Sequence, residues 1–184
     1  MNIIVNPYGN GHCYCRPDTT WEKENKDFYA PDCVSELYWT PVVFARISKA
    51  GKCVSRKFAP RYYDAYNYGI LFYCKVDGHD EFITCVDHTS ILPSPSLQPE
   101  LMETSEGEYK VMLNSNEAFA SAGVTAEVIE EAICKASALT SVRIGDYIVV
   151  ELAKQTMIPC KENNEVEIKG SYNNSEIFSK KVIF

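Results

Sequence analysis

The run Val42-Val43-Phe44-Ala45-Arg46-Ile47-Ser48 constrains this chain more than any other segment. β-Branched and aromatic residues side by side suit a buried strand, and the set Lys49-Ala50-Gly51-Lys52 supplies the turn that closes it. A second such run covers residues 70–76. Between the two, residues 58–66 are predicted to form a helix, with Pro60 in its first turn and Gly69 after its end. Residues 2–6, 13–15, 82–86, 109–113, 117–121, 147–152, 166–169 and 177–184 read as further strands, set apart by turn clusters such as Asn114-Ser115-Asn116. Val128, Ile129, Ala132, Ile133, Ala136 and Leu139 recur at helical spacing behind Thr125, a residue suited to an N-cap. Residues 19–35 are polar and show no period. The expected class is strand-rich α+β with two helices, folded as a single domain over residues 1–184.

A net charge of −7 disfavours a nucleic-acid partner, which requires a basic surface. Lys52, Arg56, Lys57 and Arg61 lie close together, and such a group is ordinarily a solvated face. No apolar run approaches membrane-spanning length and no basic leader precedes one, so no membrane partner is expected and a cytoplasmic location is the default. Eight cysteines are scattered through the chain, several inside apolar runs, and are expected to be buried free thiols.

Six segments, in order, resemble the fumarylacetoacetate hydrolase family. They are Arg16-Pro17-Asp18, Phe28-Tyr29-Ala30-Pro31-Asp32, Arg46-Ile47-Ser48-Lys49-Ala50-Gly51-Lys52, Arg61-Tyr62-Tyr63-Asp64-Ala65, Gly69-Ile70-Leu71-Phe72 and Val142-Arg143-Ile144-Gly145-Asp146. The resemblance runs from about residue 12 to the C-terminus. It implies a strongly bent β-roll, usually a homodimer. It also implies Mg²⁺ or Mn²⁺ held by three carboxylates, two of them a Glu-x-Glu pair on one strand face, to polarise a 2-oxo or enol carboxylate.

This chain departs from that pattern where the chemistry resides. Counting back from Gly51-Lys52, the Glu-x-Glu pair falls on Thr40 and Val42, and counting from Gly69 the third carboxylate falls on Leu71. The family's substrate-contacting Lys is missing from Thr84-Cys85-Val86-Asp87. Its Gly-Thr-Pro turn is replaced by the continuation Glu151-Leu152-Ala153, and its lid segments are shortened. The expectation is a catalytically inactive structural or binding domain without cofactor, a homodimer or the partner of a complete family member. The alternative is an altered-site hydrolase or lyase for a small 2-oxo acid, with Asp64, Asp87 and His88 as acid/base candidates. Arg16 and Arg61 are candidates for holding a small anion. His12, Cys13 and Cys15 offer soft ligands, and Cys85 with Asp87 and His88 a rebuilt site; ordinary strand and turn roles are the competing readings. The tyrosines of residues 62–68 either pack in the core or mark a dimer contact.

Overall fold

The computed structural model describes residues 1–9, 11–104, 107–159 and 165–184. Among the described residues thirteen strands and one α-helix follow in chain order: β1 (Ile3–Asn6), β2 (Tyr14–Arg16), β3 (Trp21–Glu22), β4 (Phe28–Tyr29), β5 (Val34–Ile47), β6 (Tyr63–Val76), β7 (Ser90–Ile91), β8 (Glu108–Leu113), β9 (Asn116–Ala122), α1 (Ala126–Leu139), β10 (Tyr147–Glu151), β11 (Thr156–Met157), β12 (Glu165–Tyr172) and β13 (Ser175–Ile183). The larger sheet runs β2-β1-β10-β5-β6-β7-β3, with β11 added on β5, and the smaller runs β4-β13-β12-β8-β9. The result is a strand-rich α+β fold with a curled half-barrel sheet.

The spine is the antiparallel β5–β6 ribbon, 14 residues on each strand. Its two faces are sorted by strand alternation. Leu37, Trp39, Val43, Ala45 and Ile47 of β5, with Tyr66, Tyr68, Ile70, Phe72 and Cys74 of β6, enter the main core. That core also takes in Ile129, Ala132, Ile133 and Ala136 of α1 and Tyr109, Val111, Ile168, Phe178 and Val182 of the smaller sheet. Val42, Phe44, Leu71 and Tyr73 face the other way and meet Ile3, Val5, Leu92, Tyr147 and Val149 in a second apolar cluster. A strand buried on both faces explains why these runs are nearly continuous in hydrophobicity.

Three local expectations are corrected. Residues 58–66 hold only the 3-10 helix Arg56–Arg61; the chain then re-enters a strand at Tyr63, with Gly69 inside it. The alternation of Tyr66 and Tyr68 toward one face outweighs the helical signal, and aromatic residues favour the strand. Residues 82–86 are turns rather than a strand: Ile83 N–H donates to Asp80 O at 3.3 Å and Cys85 N–H to Phe82 O at 2.9 Å. The thiols are free, yet of those described only Cys74 is buried; Cys15, Cys33 and Cys53 are exposed, and Cys160 lies outside the described residues.

The tyrosines expected near residue 65 pack inward. Tyr68 is stacked between Tyr109 (4.7 Å) and Tyr172 (4.9 Å), and its hydroxyl accepts Val124 N–H at 3.1 Å. α1 matches its predicted start, although the Thr125 side chain makes no capping hydrogen bond.

Candidate functional site

Thr40 and Leu71 are direct partners in the β5–β6 ladder, and Val42 pairs with Gly69 two residues along. All three positions open onto the same face, as a metal cradle built on a strand pair requires. Their chemistry does not fit a hard cation. Each is 0 % exposed. The Thr40 hydroxyl donates to Ala153 O at 2.6 Å, and Val42 and Leu71 carry no donor atom. Burying each of the two apolar side chains contributes about 1.5–3 kcal/mol. Among the described residues no group of three or more His, Cys, Asp or Glu is placed to hold a metal ion.

The nearby carboxylate of Glu151, across from Val42 on β10, is engaged by its neighbours. It accepts Tyr8 N–H at 2.9 Å and the hydroxyls of Tyr73 and Tyr14, the latter two joined at 2.5 Å. Burial and the adjacent carboxylate push both phenols well above the ordinary tyrosine range, so they stay protonated donors.

A layer of side chains closes this face. Trp21 lies edge-on to Tyr147 at 5.4 Å and donates its indole N–H to Leu92 O at 2.9 Å. Gly69 lets β7 approach: a Cβ there would stand 2.3 Å from Ile91 O. Arg16, only 2 % exposed, ties the covering segment down. It donates to Thr84 O (3.0 Å), Phe72 O (2.6 Å) and Thr89 Oγ1 (3.0 Å), and its guanidinium sits 5.1 Å from the Tyr73 ring centroid. Burial lowers its pKa, and Nη1 has no hydrogen-bond partner among the described residues. The structure thus gives Arg16 a tethering position within the layer rather than an open anion cradle.

The other candidates are dispersed. Asp64 is exposed and forms a two-pronged ion pair with Arg46, both bonds 2.9 Å. Eight strand residues, roughly 26 Å, separate it from Phe72, whose N–H donates to Thr89 O beside His88. Asp64 therefore does not converge with Asp87 and His88. Arg61 is exposed and rests 5.6 Å from the Phe58 ring. His12 and Cys15 are exposed, while the Cys13 thiol donates to Asn6 Oδ1 at 3.0 Å.

Asp87 and His88 do share a groove. His88 holds a left-handed backbone (φ 60°), with Nδ1 3.2 Å from a Glu22 carboxylate that is only 6 % exposed. Lys26, Asp27 and Tyr29 complete an open hollow of about 450 Å³ around them, and Val86, Asp87 and Pro31 line its neighbour of about 310 Å³. Nearby, Lys180 is buried and donates to Lys26 O at 2.7 Å; desolvation lowers its pKa to about 8. Sequence reasoning missed Glu22 and Lys180. Glu22 belongs to a two-residue strand in a stretch without period. Lys180 carries a signal, since it falls on the inward parity of β13 between Phe178 and Val182.

At the level of sequence, neither a family model nor a curated protein sequence matches the chain. Solved structures match it over nearly its whole length. Fumarylpyruvate hydrolase from Pseudomonas aeruginosa, in complex with Mn²⁺ and pyruvate, superposes with a TM-score of 0.77 at 11% identity, covering 100% of this chain and 90% of that one. A 2-hydroxyhepta-2,4-diene-1,7-dioate isomerase from Mycobacterium marinum gives 0.77 at 14% identity, over 99% and 74%. A protein assigned to the fumarylacetoacetate hydrolase family from Yersinia pestis gives 0.74 at 14%, over 99% and 92%. The chain therefore has the fold of the fumarylacetoacetate hydrolase family, a fold shared by hydrolases and isomerases.

Proposed function

We propose that this protein uses the fumarylacetoacetate hydrolase fold as a structural or binding domain and has given up metal-dependent chemistry. One observation supports the reading: Thr40, Val42 and Leu71, the positions that counting from Gly51-Lys52 and Gly69 assigns to the carboxylates the resemblance implies, are fully buried and without a carboxylate among them. Three anions there without a cation would repel one another and lose solvation; apolar packing removes that cost. Assembly as a homodimer, or as the degenerate subunit beside a complete family member, belongs to the same proposal.

The test is metal and turnover together. Protein incubated with Mn²⁺ and desalted is expected to retain far less than one equivalent by mass spectrometry. It is also expected to leave acylpyruvates and oxaloacetate unchanged. Stoichiometric retention, or turnover that chelator abolishes, would overturn the reading.

The His88–Glu22 pair favours a second reading, an altered-site hydrolase or lyase for a small 2-oxo acid. A carboxylate on Nδ1 orients the imidazole and leaves Nε2 for proton transfer. Chelator-resistant turnover of a 2-oxo acid, lost in His88→Ala, would support it. The same turnover in His88→Ala would sink it.

A further inference from the structure

Charge is unevenly distributed along this chain. Between Leu37 and Val76 seven Lys or Arg residues stand against a single acid, Asp64, in a protein of net charge −7, so the remainder carries −13. Most of these cations cap one end of the β5–β6 ribbon, in the connection 48–62. Arg46 is engaged by Asp64, and Arg56 reaches Glu127 at 3.6 Å. Lys49, Lys52, Lys57 and Arg61 are exposed; three of them lie over rings, Lys49 at 5.3 Å from Tyr62, Lys57 at 5.9 Å and Arg61 at 5.6 Å from Phe58.

This connection is bound to a second loop that follows α1. Gly51 and Val142 exchange backbone hydrogen bonds of 3.0 and 2.9 Å. Gly145 N–H donates to Ile47 O and Cys53 N–H to Ser137 O, both at 2.8 Å. Arg143 adds an exposed cation to the same end. Asp146 N–H closes a turn on Arg143 O at 3.0 Å, and Gly145 has φ +87°, which places Ile144 at the turn's tip. Ile144 is 73 % exposed, Leu139 at the end of α1 67 %, and Phe58 44 %. Large apolar side chains thus stand out of a cationic rim, on a turn tip, a helix end and a 3-10 turn.

We propose that this end of the molecule associates with the surface of an anionic lipid bilayer, the cations meeting headgroup phosphates and carboxylates while Ile144, Leu139 and Phe58 enter the interfacial layer. Clusters of four to eight Lys or Arg with interspersed apolar side chains suit such a surface. A fluid interface accepts apolar groups from three separate projections, whereas a protein partner would need a pocket matched to each. The acidic remainder does not forbid it: Glu127 is already paired with Arg56, and charges farther than roughly 8 Å are screened at physiological salt. No described helix is long and apolar enough to cross a membrane, and the proposal needs none. The expectation of no membrane partner rested on spanning length, which does not bear on surface association.

The test is cosedimentation of the full chain with vesicles of phosphatidylcholine containing about 30 mol % phosphatidylserine, compared with phosphatidylcholine alone. Binding is expected only to the anionic vesicles and is expected to disappear at high salt. Lys52→Glu, Lys57→Glu and Arg61→Glu combined should weaken it by at least about a hundredfold, and Ile144→Asp should weaken it several-fold. Lys169→Glu, on the smaller sheet, should leave it unchanged. Lys52, Lys57, Arg61 and Ile144 are exposed and Lys169 is partly exposed, and thermal unfolding of each variant checks that the fold is intact. The proposal is overturned by no binding, by equal binding to both vesicles, or by a triple variant that still binds. It is overturned equally if poly-glutamate displaces the vesicles and binds as tightly as they do, which would mark the patch as a site for acidic polypeptides.

Discussion

Glu151 lies directly across from Val42 in the β10–β5 ladder, so a buried carboxylate already occupies the edge of the face where a metal cradle would be rebuilt. Its acceptor positions are taken up by Tyr8 N–H and the Tyr73 and Tyr14 hydroxyls. Val42→Glu would place a second anion beside it, 0 % exposed and without a donor of its own. The variant is expected to lose about 3–5 kcal/mol of unfolding free energy. Mn²⁺ is expected not to restore it, because one added carboxylate and one engaged carboxylate do not make a site. Urea titrations with and without Mn²⁺ measure both effects, and a metal-dependent recovery of the midpoint would contradict the packing argument.

Arg16 governs the layer above that face. Its three hydrogen bonds end on Thr84, Phe72 and Thr89, which joins the segment after β6 to β6 itself. Arg16→Ala leaves buried acceptors without donors and removes a large side chain, at about 3–5 kcal/mol. Residues 83–89 should lose amide-exchange protection before the β5–β6 ribbon does. Arg16→Lys should not rescue, since an ammonium on a flexible stem cannot span the three acceptors as the planar fork does. Protection of residues 83–89 equal to that of the parent would remove Arg16 from this role.

How much of this was legible in the sequence depends on range. α1 was readable because Ile129, Ala132, Ile133 and Ala136 repeat within one segment. The ribbon is readable in part: β5 and β6 show only where their apolar runs are densest, and residues 63–66 of β6 are hidden in an expected helix over 58–66 because a Pro and a following Gly suggest one. The common face of Thr40 and Val42 follows from alternation and the family resemblance, whereas the pairing of Thr40 with Leu71 is a matter of ladder register that only the structure shows. The His88–Glu22 pair, 3.2 Å apart, did not follow from anything local, because β3 and β7 bring together residues 66 positions apart. Arg16 was singled out as an anion holder. Its bond to Thr84 O depends on the turns at residues 82–86, which a run of apolar residues disguises as a strand, while its bonds to Phe72 O and the Thr89 hydroxyl join residues far apart in the chain.

Gly69 has a positional requirement that its strand context hides. Replacing a glycine in a strand by alanine ordinarily stabilises, by about 0.4–1 kcal/mol, through the unfolded chain. Here the added Cβ would stand 2.3 Å from Ile91 O and 3.3 Å from the Leu92 side chain, and Gly69 O also receives the Tyr109 hydroxyl at 2.7 Å. The obstacle is backbone, so β7 must move. Gly69→Ala is expected to lower stability by about 2–4 kcal/mol. The Trp21 indole, bonded to Leu92 O, should report the displacement as changed fluorescence in the folded state. A stabilised variant with unchanged fluorescence would mean β7 does not press on β6 as described.

Lys180 should give the protein a stability dependence in mild alkali. Its amine is buried, desolvation lowers its pKa from 10.5 to about 8, and Glu22 and Asp27 only partly offset this. Below pH 8 the amine is charged in both folded and unfolded chains, and the folded state bears the cost of burying it. Between pH 8 and 10.5 the folded protein releases the proton first, so the unfolded state holds more protons and stability attributable to this group rises with pH. Above 10.5 both states are neutral and the penalty is gone. Lys180→Met carries no such charge. Taking the difference between parent and variant cancels the tyrosines, which titrate in the same range. That difference should move in favour of the parent by on the order of 3 kcal/mol between pH 7.5 and 10.5, read from urea midpoints. A difference that stays flat across the window would mean the amine reaches water, and that the loop over β13, held by Asn25 to Ser179 N–H at 3.1 Å and Asp27 to Lys181 N–H at 2.8 Å, opens freely in solution.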